Sequence, residues 1–311
     1  MKTLWNWLPT RIDARVRVAA WASLISQILI IGTGGAVRLT GSGLGCPTWP
    51  RCTEDSFVTT PEMGFHGIIE FGNRLLTFLL IIIAVVMFAF VVRMRKERPE
   101  LFRLSLVLGF GIPGQAIVGG ITVLTDLNPY VVGLHYLLSA ILVGLAAVLL
   151  FRVRVGPRTS SWSVPSAVRG LSAAMYAVLA ISIVMGILTT GSGPHAGDGG
   201  AARNGLDSWL LQHFHAWPSY VVAGLGATLL VLAWGLGIGG RRFRTSITGF
   251  MVMTVVQIGV GLYQARNGLP ELFVGIHMVL AAVLVALATS VLLAQRAPVL
   301  TKEAADPLPV R

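Results

Sequence analysis

Charge is scarce in this chain. Only 12% of its 311 residues are Asp, Glu, Lys or Arg, about half the share of a soluble domain. That excludes an ordinary water-soluble fold. Cysteine is nearly absent, with only Cys46 and Cys52. Whether they pair depends on which side of a membrane they face. The Arg-rich N-terminus lacks a small-residue cleavage site, so the apolar run after it is expected to stay as a first span. What fills the chain instead is apolar: 54% of residues are hydrophobic, in runs that exceed the ~20 residues needed to cross a bilayer. Lipid leaves no partner for open backbone, so the spans should be helices. The net charge of +11 would suit nucleic acid as a partner. The basic residues sit in short clusters between apolar runs, however, where they report topology instead.

Eight spans are expected, at about 18–37, 67–92, 103–124, 131–151, 169–190, 208–236, 246–264 and 272–294. Alternate connections differ sharply in charge. One side collects Lys2, Arg11, Arg15 and Arg17, then Arg93, Arg95, Lys96, Arg98 and Arg103, then Arg152, Arg154, Arg158 and Arg169. It continues with Arg241, Arg242 and Arg244, and with Arg296, Lys302 and Arg311 in the tail. That makes nineteen of the 24 basic residues. Arg38, Arg51, Arg74, Arg203 and Arg266 lie on or near the other side. The positive-inside rule then predicts cytoplasmic termini and an extracytoplasmic loop Gly41-Ser-Gly-Leu-Gly-Cys-Pro-Thr-Trp-Pro-Arg-Cys52. A disulfide is geometrically easy there, either as a loop staple or as a redox-active pair. The tail from Gln295, Pro-rich and charged, is expected to be disordered.

The chain repeats itself. Residues 132–146, an apolar helix with His135 near its start, return as 274–288 with His277 in the same place. At the same offset of 142, Glu70-Phe-Gly-Asn73 is matched by Gln212-His-Phe-His215, and Gln115 and Gly119 by Gln257 and Gly261. Thr40-Gly-Ser-Gly43 is echoed by Thr190-Gly-Ser-Gly193 at an offset of 150. The first outer loop is therefore about eight residues longer than its partner, and it holds the cysteines. Four spans per unit give two halves of like orientation. The expected architecture is all-α, eight transmembrane helices in two pseudo-symmetric four-helix bundles. The halves are 1–158 and 159–294, with a cytoplasmic tail at 295–311.

Topology puts Glu70, Asn73, His135, His215 and His277 toward the outer side. His215 and His277 come from spans of equal direction at similar depth. Two neutral imidazoles across a dry bundle suit an iron held by two axial ligands; zinc more often takes three or four ligands including a carboxylate or thiolate. The plainer reading of each histidine is a bond to a backbone carbonyl or a place in a polar cavity. His213, about 200° round the helix from His215, reads as structural, and His195 carries no signal. His66 lies four residues before Glu70 and is either supporting or solvated. Glu70 is costly inside an apolar run. It is either paired with Arg74 at i+4 or an acid/base group beside a substrate.

Together the cysteine loop, Ile69-Glu-Phe-Gly-Asn-Arg74 and the histidines at 135, 215 and 277 resemble the haem A synthase family over nearly all of the chain. The resemblance is to the bacterial cysteine-containing type, with the basic, Gly/Ala/Val-rich composition of actinobacterial members. It implies an oxidoreductase of the plasma membrane. Such an enzyme oxidises the C8 methyl of haem O to a formyl group by successive hydroxylations, giving haem A for cytochrome c oxidase. It implies haem b as cofactor on His215 and His277, a substrate haem on His135, Glu70 as the catalytic carboxylate, and a disulfide between Cys46 and Cys52. Haem O synthase and cytochrome c oxidase assembly are the implied partners; association with further copies of the chain, a homo-oligomer, is left open by the sequence. One departure stands out: the family commonly has histidine where this chain has Asn73, a poor iron ligand. His135 is then expected to hold the substrate haem alone, with His66 as a distant second candidate. Arg38 and Arg74 are candidates for the haem propionates. Two other classes fit the same residues less well. They are a two-haem electron carrier, which would place haems at both faces, and a transporter of parallel repeats with Glu70 as its proton site.

Overall fold

The structure is a computed structural model that describes residues 2–157 and 159–297. Expectations for Arg158, for Lys302 and Arg311, and for the rest of the tail beyond 297 lie outside the described residues. Every regular element among the described residues is helical. A short α1 (Lys2–Trp7) is followed by α2 (Ala14–Leu39), α3 (Gly64–Val91), α4 (Pro99–Leu124) and α5 (Pro129–Val155). Then come α6 (Ser166–Ser192), α7 (Ser208–Trp234), α8 (Arg241–Arg266) and α9 (Glu271–Leu293). The eight helices from α2 onward are long and apolar enough to cross a bilayer. The protein is a multi-pass membrane protein.

Local signals set the helix starts. The side chains of Asp13, Asn128 and Asp207 accept from the backbone N–H of Val16, Tyr130 and Leu210, satisfying donors that a helix start leaves free. Pro99 and Pro129 stand in the first turns of α4 and α5, where a missing N–H costs nothing. Phe78, Ile82, Phe110, Val231 and Val255 are exposed on the outside of the bundle, the side that lipid covers.

α5 packs on α9, and each also packs on the first helix of the other half: α2 on α9 and α6 on α5. A two-fold exchange of the halves would map each of these pairs onto the other. Small residues let the helices approach. A Cβ at Gly133 of α5 would lie 2.6 Å from the Ile187 side chain of α6. One at Gly275 of α9, its counterpart at offset 142, would lie 3.3 Å from Leu39 of α2.

Two clusters of buried apolar side chains lie toward the end where α2 begins and α9 finishes. Leu24, Met87, Leu101, Val143 and Leu149 fill it in the first half, and Met175, Leu229, Phe243, Ile247 and Phe250 in the second. At this end arginines lie over tryptophan rings: Arg93 over Trp5, Arg15 over Trp7, Arg154 over Trp21, Arg244 over Trp234, and Arg169 and Arg296 over Trp162. Such pairs suit a membrane interface, where ring and cation each find a fitting environment.

The expectation of disorder from Gln295 onward is corrected for its first three residues. Ser163 N–H donates to Gln295 O at 2.8 Å and Ala297 N–H to Ser161 O at 3.1 Å. Arg296 lies 3.8 Å over the Trp162 ring. Backbone pairing and a stacked guanidinium give this stretch the partners that its composition does not reveal.

Candidate functional site

At the opposite end the helices carry the polar residues. In the second half, α7 presents His215 and α9 presents His277, with ring centroids 6.0 Å apart and planes at 77°. His215 Nδ1 donates to the carbonyl of Ser182 on α6 at 2.8 Å. A carbonyl only accepts, so the proton sits on Nδ1 and the lone pair on Nε2. This is the arrangement by which an outer partner fixes the tautomer of a metal-binding imidazole. Ser219 Oγ donates to His215 O at 3.0 Å and shares a 2.7 Å bond with Ser182 Oγ. On the facing helix, Gln257 Nε2 donates to His277 O at 3.1 Å. His277 Nδ1 is buried with no hydrogen-bond partner among the described residues.

The spacing of these two rings matches that of two imidazoles sharing one metal. With metal–nitrogen bonds of about 2 Å, two imidazoles on one metal place their centroids about 6 Å apart, as found here. Among the described residues no three His, Cys, Asp or Glu side chains converge as a compact metal site. Two nitrogens alone suit a metal whose remaining positions come from a macrocycle.

The first half repeats part of this arrangement. Gln115 Nε2 donates to His135 O at 3.0 Å, matching Gln257 and His277. A Cβ at Gly119 would lie 3.3 Å from the His135 ring, and one at Gly261 would lie 3.1 Å from that of His277. Glycine at both positions seats the imidazole against its neighbouring helix. His135 Nδ1, like His277 Nδ1, is buried without a partner among the described residues. Where the second half has His215, the first has Asn73, whose Oδ1 accepts from Thr33 Oγ1 of α2 at 2.8 Å.

Glu70 is 5% exposed, whereas its counterpart Gln212 is exposed. The cysteine loop makes the difference. Cys46 and Cys52 form a disulfide, and both are fully buried. Cys46 N–H donates to Glu70 Oε2 at 2.6 Å. The other oxygen takes Nε and Nη2 of Arg74, so the i+4 pair is present. Arg74 also donates to three loop carbonyls, of Cys46 at 2.9 Å and of Thr48 and Arg51 at 3.1 Å each. Helix α3 thus holds the loop through one carboxylate and one guanidinium.

The structure therefore brings Glu70, Arg74 and the disulfide together, and Asn73 to Thr33. Among the described residues the hydrogen-bond partners of Glu70 are Arg74 and Cys46, not His135. His66 bonds Ser42 Oγ at 2.9 Å, within the loop. Arg38 donates to the carbonyls of His195 and Thr190 at 2.6 and 2.9 Å, tying α2 to the second half. His195 in turn bonds Leu269 O at 2.9 Å, a joining role that its glycine-rich surroundings did not suggest. His213 bonds Trp209 O on its own helix at 2.8 Å. Ser182, Thr33 and Trp49 were not singled out by sequence. Only Trp49 carried a signal, since it sits inside the cysteine motif.

The profile of the COX15-CtaA family, described as cytochrome oxidase assembly protein, matches residues 17–289. The chain belongs to this family. Among similar proteins are the "Heme A synthase" of Geobacillus thermodenitrificans, 27% identical over 49% of this chain and 48% of that protein, and that of Bacillus pumilus, 34% identical over 45% and 44%. The match with several such relatives thus spans about half of their length. The "Heme A synthase" of Listeria monocytogenes is 24% identical over 86% of this chain and 88% of its own.

Proposed function

We propose that the protein is a haem A synthase, an oxidoreductase that converts the C8 methyl of haem O to a formyl group. The observation that carries this reading is the unequal pair of sites. One half presents two imidazoles 6.0 Å apart; the other presents one imidazole, an asparagine and a buried carboxylate at the matching positions. The first arrangement holds a cofactor and the second holds a substrate. Residues 1–158 form the substrate half and 159–294 the cofactor half.

In the cofactor half, His215 and His277 would hold haem b, which supplies one-electron redox chemistry when bound. Ser182 O fixes the His215 tautomer and Gln257 holds the His277 backbone. In the substrate half, His135 takes the iron of haem O from one side. Asn73, engaged with Thr33, leaves the other side without an imidazole. Glu70 stands as the acid/base group for the carbon being oxidised. Arg38 and Arg74 already bond backbone carbonyls, so each meets a propionate only by sharing or exchanging those bonds. Haem O synthase and the assembly of cytochrome c oxidase are the partners this activity calls for, with further copies of the chain as another. The test is haem extraction from cells that co-express a haem O synthase. Haem A is expected with the protein and haem O alone without it; haem O alone in both would overturn the reading.

The substitution Asn73→His would copy the second half into the first. A second six-coordinate low-spin haem spectrum is expected, with loss of haem A. An unchanged spectrum would mean that position 73 does not face the bound iron.

The charge pattern supports a reading with both termini in the cytoplasm and the cysteine loop outside the plasma membrane. On intact cells, a membrane-impermeant maleimide should label Glu54→Cys and spare Lys96→Cys, both exposed positions. The reverse pattern would invert the topology.

A further inference from the structure

We propose that Trp49 is a positioning residue of the first-half site: its indole, seated on Gly120, walls the space beside His135 and sets which edge of a bound haem meets Glu70. This rests on the reading of that half as the substrate site.

Everything around Trp49 is pinned. The disulfide closes residues 46–52. Glu70 takes the N–H of Cys46, and Arg74 takes the carbonyls of Cys46, Thr48 and Arg51. Trp49 is thus the tip of a loop fixed on both flanks, and its ring lands on α4. A Cβ at Gly120 would lie 2.4 Å from the indole Cδ2 and 2.6 Å from Cε2. No side chain larger than hydrogen fits there with the ring in place. The preceding residue, Gly119, is the seat of His135. The two rings therefore rest on consecutive residues of one helix, about 100° apart around its axis.

The second half separates this seat from simple haem holding. Gly261, counterpart of Gly119, keeps the imidazole seat. Leu262, counterpart of Gly120, is 40% exposed, and its side chain stands where the indole would need a bare glycine. A feature needed only to retain a haem belongs in both halves. The glycine that seats Trp49 is kept in the half that has Glu70 and replaced by Leu262 in the other, and the same loop that carries the indole bonds Glu70. Loop, carboxylate and imidazole are thus connected through one short chain of contacts: Glu70 to Cys46, the loop to Trp49, Trp49 to Gly120, Gly119 to His135. A half-buried indole whose seat adjoins that of His135 would offer an aromatic face to a flat macrocycle held there. Turning that macrocycle by one pyrrole would bring a different substituent to Glu70.

The experiment uses the full-length protein co-expressed with a haem O synthase. It compares Trp49→Ala, Trp49→Phe and Gly120→Ala with Gly109→Ala, a control on the same helix where a Cβ meets nothing within 4 Å. Trp49→Ala is expected to lower haem A of order 10²-fold, as for an ångström-scale misplacement of a reacting group. It should also raise the ratio of alcohol to aldehyde product and shift the spectrum of the substrate haem. The second-half haem b and a thiol count of zero should persist. Trp49→Phe should restore most of the yield and ratio. Gly120→Ala should resemble Trp49→Ala although the indole is present, and Gly109→Ala should resemble the parent. Wild-type yield, ratio and spectrum in Trp49→Ala would overturn the inference. So would equal losses in Trp49→Ala and Trp49→Phe accompanied by loss of haem b, which mark a folding role. If the parent itself makes no haem A, the proposed function fails. The inference then stands or falls on whether Trp49→Ala and Gly120→Ala shift the spectrum of haem bound to the first half.

Discussion

Glu70→Gln is expected to lower haem A formation by about 10²–10⁴-fold, the range for losing a general acid/base group, while the second-half haem b stays in place. The geometry makes this more than the loss of a charge. Glu70 accepts on both oxygens, from Cys46 N–H on one and from Arg74 on the other. Glutamine has one oxygen to offer. Its amide nitrogen must then face either the Cys46 N–H or the Arg74 guanidinium, setting donor against donor at a cost of about 1–3 kcal/mol. The loop should loosen as well as the chemistry stop. Glu70→Ala goes further and breaks a buried ion pair, for which about 3–5 kcal/mol is typical. The three carbonyls that also hold Arg74 offset part of this. Glu70→Asp separates the two effects, because it keeps the carboxylate but draws it back by one methylene. If the carboxylate moves a proton, Glu70→Asp retains clearly more turnover than Glu70→Gln. If Glu70 only clamps the loop, each variant loses stability and both keep haem A within tenfold of the parent. Haem extraction and thermal unfolding on the same preparations read the two quantities separately.

What sequence could reveal about this protein follows from where its information lies. The spans and their order are properties of single helices, so hydropathy locates all eight. The repeat relates residues at a fixed offset, so His135 with Gln115 and His277 with Gln257 are matched by sequence alone. The structure then shows the same glutamine-to-carbonyl bond in both halves. Contacts made by backbone groups of irregular loops have no such signature. Glu70 and Arg74 are legible as an i+4 pair. The bond from Cys46 N–H across 24 residues is not, nor is the path from Arg38 through His195 to Leu269. The six-residue α1 is too short for any periodic pattern to define. The replacement of Gly120 by Leu262 at the repeat offset was visible in principle. It acquires meaning only once the Trp49 ring is seen on that glycine.

Histidine removal in the second half should empty the cofactor site, and the two ligands should not behave alike. His215→Ala is expected to lose nearly all of the six-coordinate haem b signal and most of the haem itself. His277→Ala should retain more haem, in a five-coordinate form. The difference comes from pre-orientation. The His215 ring is held by Ser182 O at 2.8 Å, with its backbone carbonyl bonded by Ser219, so its Nε2 lone pair is already directed before iron arrives. The His277 ring has no such partner on Nδ1 and is placed by its seat against Gly261 and by its backbone. Ordering a side chain that is free to turn costs conformational entropy that a tethered ring has already lost. The tethered ligand therefore contributes more to retention. Exogenous imidazole offers a direct check, because the truncated side chain leaves a space of its own shape. Imidazole should return the six-coordinate spectrum more readily in His277→Ala, where a directed ligand remains on the other side, than in His215→Ala. His135→Ala should leave the second-half spectrum untouched and abolish haem A. A full six-coordinate haem b in both His215→Ala and His277→Ala would break the assignment of these residues to the iron. Loss of that spectrum in His135→Ala would mean that the two halves do not hold their haems separately.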